Sequence, residues 1–282
     1  MASKCYAGLD TLKARIGLDS VTTHDAKLLS FLNTATEKID TYCSRNFQPE
    51  TATKYYDGDY SPLIIDDLLS VTNLKLDKDR DDTYEETMTA DQDYNLLPLN
   101  GYPKTRIEIS TLTDKDYTSF AAGVKKGVEL EGIFGYGDGK SATPYLTSGD
   151  ATAEAVDASE ASIDVTLYSN FEPGQTILID DEQMYISDTT DDTQDYITVE
   201  RAVNGTTAAT HTTATTIYIY RYPEVIKESC IIIAAELFRY METAYSGVIS
   251  TDEFGSTNLR QGMNPTVRML LDSGNYVLRR PS

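Results

Sequence analysis

The sequence predicts an α+β fold: a helical bundle with a small antiparallel β-region, plus an inserted all-β domain of sandwich or barrel type. Three observations predict it. Apolar residues recur at helical spacing near both ends of the chain. Short β-like runs separated by turn residues fill the space between. Composition also changes abruptly: within residues 143–220 Arg201 is the single basic residue against 14 acidic ones, whereas residues 221–282 carry seven of each sign. Such a shift marks a boundary on each side. The predicted organisation is therefore a discontinuous domain, residues 1–142 and 222–282, interrupted by an acidic β-domain at 143–221.

The elements follow in order. Leu9, Leu12, Ile16 and Leu18 predict a short amphipathic helix stopped near Gly17. A longer helix carries Leu28, Leu32, Ala35, Ile39, Tyr42 and Cys43 on one face, with Thr22 and Asp25 at capping-box spacing and Ser44-Arg45-Asn46 at its end. From Tyr55 to Tyr136 the runs are β-like: Leu63-Ile64-Ile65, Val71 to Leu76, Tyr94 to Leu97, Arg106 to Ile109 and Val128 to Phe134, with residues 77–93 as an exposed polar loop. Residues 143–160 predict a flexible Ala/Thr/Ser linker. Five short strands follow, at Ile163, Thr176, Met184, Tyr196 and Thr216. Pro223 then opens a helix with Ile226, Cys230, Ile233, Leu237 and Tyr240 on its apolar face. Residues 246–263 are Gly/Ser/Asn-rich and predict a mobile segment. Asn264, Pro265 and Gly274 bracket a final helix with cap, first-turn proline and C-terminal glycine in sequence.

Composition narrows the function. A chain of 282 residues with 40% hydrophobic content can build a sizeable core. The longest apolar run, Cys230 to Ala235, is far short of a bilayer span, and the first residues lack a signal-peptide core. A soluble product of the cytoplasm, with no membrane partner, is expected. The net charge of −21 argues against tight nucleic-acid binding, which needs clustered Lys and Arg. Cys5, Cys43 and Cys230 are odd in number and widely spaced, so neither a disulfide framework nor a zinc site is expected; Cys43 and Cys230 read as small buried hydrophobes. Tyrosine is abundant, 20 against no Trp, which suits interfaces and sheet surfaces alike.

Motifs for chemistry are weak. His24 and His211 have no partner visible by spacing, and surface positions are expected for both. Gly135-x-x-x-Gly139-Lys140-Ser141 approaches a phosphate-binding loop, but Phe134 stands where the first glycine belongs and Pro144 follows where a helix should open. Asp77-x-Asp79-x-Asp81 matches the start of a calcium loop, but Asp82 and Met88 occupy the glycine and closing glutamate positions. The expectation is no enzyme, no catalytic residue, no cofactor and no metal.

The order of the pieces resembles the head–tail connector (adaptor, head-completion) family of tailed bacteriophages. The resemblance runs through Ala35-x-Glu37-Lys38-Ile39-Asp40-x-Tyr42-Cys43-x-Arg45-x-Phe47, Tyr56-Asp57-Gly58, Leu63-Ile64-Ile65-Asp66, Leu69-Ser70-Val71-Thr72, Tyr94-x-Leu96-x-Pro98, Gly101-x-Pro103 and Val128-Glu129-Leu130-Glu131-Gly132-Ile133-Phe134-Gly135-Tyr136, then a helix like Pro223 to Tyr245. It covers about residues 7–140 and 222–245. The acidic block departs from the pattern; Gly174 to Glu182 and Arg201 to Thr207 resemble small β-modules of other phage virion proteins. The resemblance implies a virion neck protein assembled in the host cytoplasm, a homo-oligomeric ring of roughly twelve subunits below the portal. Such a ring contacts the portal protein and tail-completion or other neck proteins, and genomic DNA passes through its lumen without sequence-specific binding. It also implies that the C-terminal segment reaches toward the portal, which puts Val267, Leu270, Leu271, Arg279 and Arg280 at a portal or subunit interface. The alternatives are a virion adhesin or decoration protein binding host surface or glycan through the β-domain, and a metal-dependent hydrolase using Asp79 and Asp81.

Overall fold

The computed structural model describes residues 4–59, 61–115, 119–190, 195–242, 248–251, 255–258, 262–274 and 276–278. The chain divides into two compact units. One comprises Asn46–Pro144 with Asn204–Thr206; the other comprises Met1–Arg45, Tyr145–Val203 and Thr207–Ser282.

The first of these is a six-stranded antiparallel sheet. Its strands are β1 (Glu50–Tyr56), β2 (Leu63–Leu76), β3 (Glu86–Thr87), β4 (Tyr94–Leu97), β5 (Lys104–Ile109) and β6 (Val128–Phe134), in the order β1-β6-β2-β5-β4 with β3 pairing β2. Alternation sets the buried face. Val128, Leu130 and Phe134 of β6 point inward with Leu68, Leu74 and Leu76 of β2 and Ile107 of β5. Each such side chain contributes roughly 1.5–3 kcal/mol on burial. After β6 the chain turns at Gly135, whose φ is 135° and whose Cα sits so close to the backbone of Gln48 that an added Cβ would lie 2.2 Å from its carbonyl oxygen.

The second unit holds four helices and a second six-stranded antiparallel sheet. The helices are α1 (Leu9–Ile16), α2 (Asp25–Cys43), α3 (Glu224–Glu242) and α4 (Pro265–Ser273). The strands are β7 (Tyr145–Ala151), β8 (Ser162–Asp164), β9 (Thr176–Ile179), β10 (Glu182–Thr190), β11 (Tyr196–Glu200) and β12 (Thr216–Tyr220), ordered β7-β12-β9-β10-β11-β8. A bridge between Thr152 and Val165 brings the two outer strands together, with Ala153 N donating to Asp164 O at 2.8 Å. The sheet thereby curls into a small barrel filled by Ile163, Ile177, Ile179, Met184, Ile186, Ile197 and Ile217. Residues Val248–Thr251 and Gly255–Asn258 pair as an antiparallel ribbon.

Helix α2 packs on α3 through Leu28, Leu32, Ala35, Ile39 and Cys43 against Ile226, Cys230 and Ile233. This is the periodicity read from the sequence, and Cys43 and Cys230 are fully buried. The cap of α2 differs. Thr22 lies in a preceding turn, its carbonyl accepting from Asp25 N, and His24 is the N-cap without a side-chain bond. The start of α4 follows expectation, with Asn264 accepting from Thr266 N at 2.8 Å and Pro265 in the first turn. Among the described residues no helix is long and apolar enough to cross a membrane.

The fold class predicted from the sequence is corrected. The described chain is mostly β, two six-stranded antiparallel sheets with four helices, and is not a helical bundle with a small β-region. The physical reason lies in β2. Its 14 residues read as two short runs because register shifts at Ile64/Leu68, Leu68/Ser70 and Val71/Asn73 break the two-residue alternation without ending the strand. The expected linker at 143–160 is corrected too: it contains β7, and Thr152 and Val156 are buried. The polar stretch 77–93 contains β3 and the buried Asp77, Met88 and Asp93.

Replacing Gly135 with Ala is expected to cost about 2 kcal/mol, because the clash is with the backbone of Gln48 and not with the end of a flexible side chain. Urea unfolding of the full chain measures this as a fall in midpoint at unchanged slope.

Candidate functional site

A dense polar cluster lies at one end of the barrel and is built around Glu182, the first residue of β10, which is 1% exposed. Oε1 accepts from Arg201 Nε at 2.8 Å and Ala202 N at 3.0 Å. Oε2 accepts from Arg201 Nη2 at 2.7 Å and Ala209 N at 2.9 Å, and faces His211 Nε2 at 3.1 Å. The pair is bidentate, and the rest of the guanidinium is used as well: Nη1 donates to the carbonyls of Asp157 (2.7 Å) and Glu160 (2.8 Å), and Nη2 donates to Ala209 O. His211 is buried, its Nδ1 lying 2.8 Å from Asp180 Oδ2. Its backbone exchanges two 2.9 Å bonds with Val156. The surface position expected for His211 is therefore corrected; the Thr-rich loop carrying it folds back over the barrel end.

Burial alone would raise the Glu182 carboxyl. The donors from Arg201, Ala209, His211 and Ala202 outweigh it and hold the group down at about 2. A carboxylate so low, with both oxygens filled, is a poor proton acceptor at neutral pH. The cluster's chemistry is to fix geometry: one side chain on β10 pins the 157–160 turn and the loop from Arg201 to His211.

A second carboxylate does the same for a helix. Glu172 accepts from Thr11 N at 3.0 Å and from Thr11 Oγ1 at 2.9 Å, while Pro173 O accepts from Leu9 N at 2.9 Å. The loop before β9 thus caps the first turn of α1, whose own N-cap is Gly8 without a side chain to offer. Burial, then the Glu172 charge, push the Asp10 carboxyl up. A run of tyrosines continues the join, Tyr6 on Tyr222 (4.7 Å between centroids), Tyr222 on Tyr220 (4.8 Å) and Tyr220 on Tyr145 (5.2 Å).

In the phosphate-loop lookalike, the Lys140 and Ser141 amides both donate to Asp138 Oδ1, at 2.8 and 2.9 Å, and β7 rather than a helix follows. Carboxylate oxygens of Asp77, Asp79 and Asp81 come within 4.8 Å of one another. Asp77 braces the loop by accepting from Arg80 N and Asp82 N, and Asp81 accepts from Thr83. His24 is half-buried, its ring edge against Phe238. Burial pushes the Cys43 thiol up to about 12 and the Cys230 thiol to about 11, which leaves neither reactive at neutral pH.

Among the interface residues, Val267 and Leu271 are fully buried in their own unit, Leu270 is half-buried, and Met269 is exposed. Arg279 and Arg280 lie outside the described residues. Beside α4, a groove of about 680 Å³ is lined by Tyr42 and Glu37 of α2, Leu237 and Tyr240 of α3, and Met263.

With the fold and this geometry in hand, comparison with known proteins returns one structural likeness. No family model matches the chain. No curated protein matches it either. It is similar to a chain in the neck of an empty GTA particle computed with C6 symmetry. The identity is 20% and the TM-score 0.30, over 48% of this chain and 67% of that one. At that score no residue's role is transferred from one chain to the other.

Sequence reasoning missed the Glu182 cluster, although it singled out Arg201 as the one cation of an acidic block. That isolation was the available signal: a lone arginine among 14 acids has its choice of carboxylate, and a bidentate partner is the strongest available.

Removing Arg201 leaves a buried carboxylate unpaired, so Arg201→Ala is expected to cost about 3–5 kcal/mol in chemical denaturation. The acid limb carries the same signature. A carboxyl lowered from 4.5 to about 2 stabilises the fold in full above about pH 4.5 and loses that contribution as pH falls toward 2. Unfolding midpoints between pH 2 and 6 are expected to fall more steeply for the natural chain than for Glu182→Gln.

Proposed function

We propose that this chain is a structural subunit of the neck of a phage-like particle, acting by fitting against other proteins and making no bonds. The observation that carries the reading is the use of its charged clusters. Glu182, Arg201 and His211, Asp138, Asp77 and Glu172 are each engaged in bracing loops or capping a helix. The motif order, which resembles that of head–tail connectors, supports the same reading. On it, the subunits form a ring below the portal that joins head to tail and prolongs the DNA channel, with the barrel available for a neighbouring neck protein. The acidity suits a channel component, since a wall of like charge does not hold DNA.

Two measurements test this. Purified full-length protein mixed with portal particles is expected to appear in negative stain as a ring on the portal vertex without added metal; free particles and free monomer throughout would overturn the reading. In a mobility assay the protein alone is expected to leave duplex DNA unshifted at low salt, and salt-sensitive retention would contradict the channel role.

Helix α4 allows a finer test. Leu271→Ala is expected to destabilise the subunit by about 2–5 kcal/mol, as for other buried leucines. Met269→Glu, on the exposed side, is expected to leave the unfolding midpoint within about 0.5 kcal/mol and to weaken portal binding.

A further inference from the structure

The chain contains two Asn–Gly pairs, Asn100–Gly101 and Asn204–Gly205, and the fold treats them oppositely. In an Asn–Gly pair the glycine amide has no Cβ beside it, so the following nitrogen can reach the asparagine side chain. Whether it does depends on freedom of the backbone and of both groups.

Asn100 lies between β4 and β5 and is exposed. Leu99 and Asn100 form a turn closed on Pro98, and among the described residues no hydrogen bond engages the Asn100 side chain. The residues on either side are held. Lys104 Nζ donates to Pro98 O at 2.7 Å and to Leu99 O at 2.9 Å, lies 4.5 Å from the Tyr102 ring centre, and is 6% exposed. The loop is therefore anchored up to Leu99 and again from Tyr102, with the exposed Asn100 side chain unbonded in the turn between the anchors.

Asn204 is fixed. It has φ 56° and Gly205 has φ 77°, a pair of left-handed residues as in a type I′ turn. The Asn204 carbonyl accepts from Thr51 N at 2.8 Å. Gly205 is pressed against Thr51 so that even a Cβ would lie 2.0 Å from the Thr51 carbonyl oxygen. Rotating this turn into a ring-closing geometry breaks the bond to Thr51 and meets its backbone.

We infer that Asn100 is a site of spontaneous covalent modification, converting to aspartate and isoaspartate through a cyclic imide, while Asn204 is protected by its turn. The Gly101 nitrogen, losing its proton to water or hydroxide, attacks Cγ of Asn100. The new N–C bond closes a five-membered succinimide, and the side-chain amide leaves as ammonia. Water then opens the ring at either carbonyl, giving an aspartyl or an isoaspartyl linkage and one added negative charge. The charge forms beside the loop that holds the buried Lys104 ammonium, and the isoaspartyl product adds one carbon to the main chain at the crossing from β4 to β5.

The test ages the purified full-length protein at mildly alkaline pH and body temperature, with peptide mapping by mass spectrometry over time. An isoaspartyl methyltransferase serves as the probe for the isoaspartyl product. The expected result is an amide-to-acid mass gain and methyl acceptance on the peptide holding Asn100, at a rate at least about tenfold that of the peptide holding Asn204. Asn100→Gln, at an exposed position, is expected to abolish methyl acceptance on that peptide while leaving the melting curve unchanged. Unfolding in urea is expected to bring the two peptides to similar rates, since it frees the Asn204 turn. Equal rates in the folded protein, or faster loss at Asn204, would overturn the proposal, as would an Asn100 peptide unchanged while the urea sample reacts.

Discussion

The barrel rests on one buried carboxylate. Glu182 enters the interior at the start of β10 with five donors around it, two of them from the guanidinium of Arg201. Taking these charges out of water is costly, and a buried pair recovers that cost only when the leftover lone pairs and protons are satisfied. Here they are: the remaining guanidinium protons go to the carbonyls of Asp157, Glu160 and Ala209. The pair therefore selects a geometry. Three chain segments distant in sequence must meet at one point, which fixes how the strands of the small sheet close.

The same economy recurs through the unit. The barrel's Glu172 and Pro173 receive the first amides of α1, and Arg15 near the end of that helix reaches Glu228 of α3 in a bidentate pair at 2.7 and 2.9 Å. Tyr42 of α2 donates to Asp272 of α4, and Leu278 N donates to Cys43 O. Polar groups join elements that the apolar faces alone would leave free to slide. Rigidity of this kind suits the structural role proposed above.

Much of the helical part was legible in the sequence. Leu28, Leu32, Ala35, Ile39 and Cys43 recur at three and four, and they are the buried face of α2; Asn264 and Pro265 mark the start of α4 because their local chemistry suffices. The β-part was under-read. Alternation identifies a strand only while the register holds, and the bulges of β2 interrupt it three times. Residues 143–160 looked like linker because Ala, Thr and Ser are small and offer little apolar surface, yet Val156 and Thr152 are held by His211 and the 212–215 turn, partners more than fifty residues away. Spacing also failed for His211, whose carboxylates come from Asp180 and Glu182; pairing across strands brings together what sequence distance separates.

The central claim is that Glu182 and Arg201 act as one unit whose value exceeds that of either group alone. A double-mutant cycle with Glu182→Gln, Arg201→Met and the double variant, followed by urea unfolding of the full chain at neutral pH, tests it most directly. The account predicts that the double variant is less destabilised than the sum of the singles by about 2–3 kcal/mol, because each single change strands a buried charge that the other would have satisfied. Additivity to within about 0.5 kcal/mol would contradict it and reduce the pair to two independent surface-like contacts.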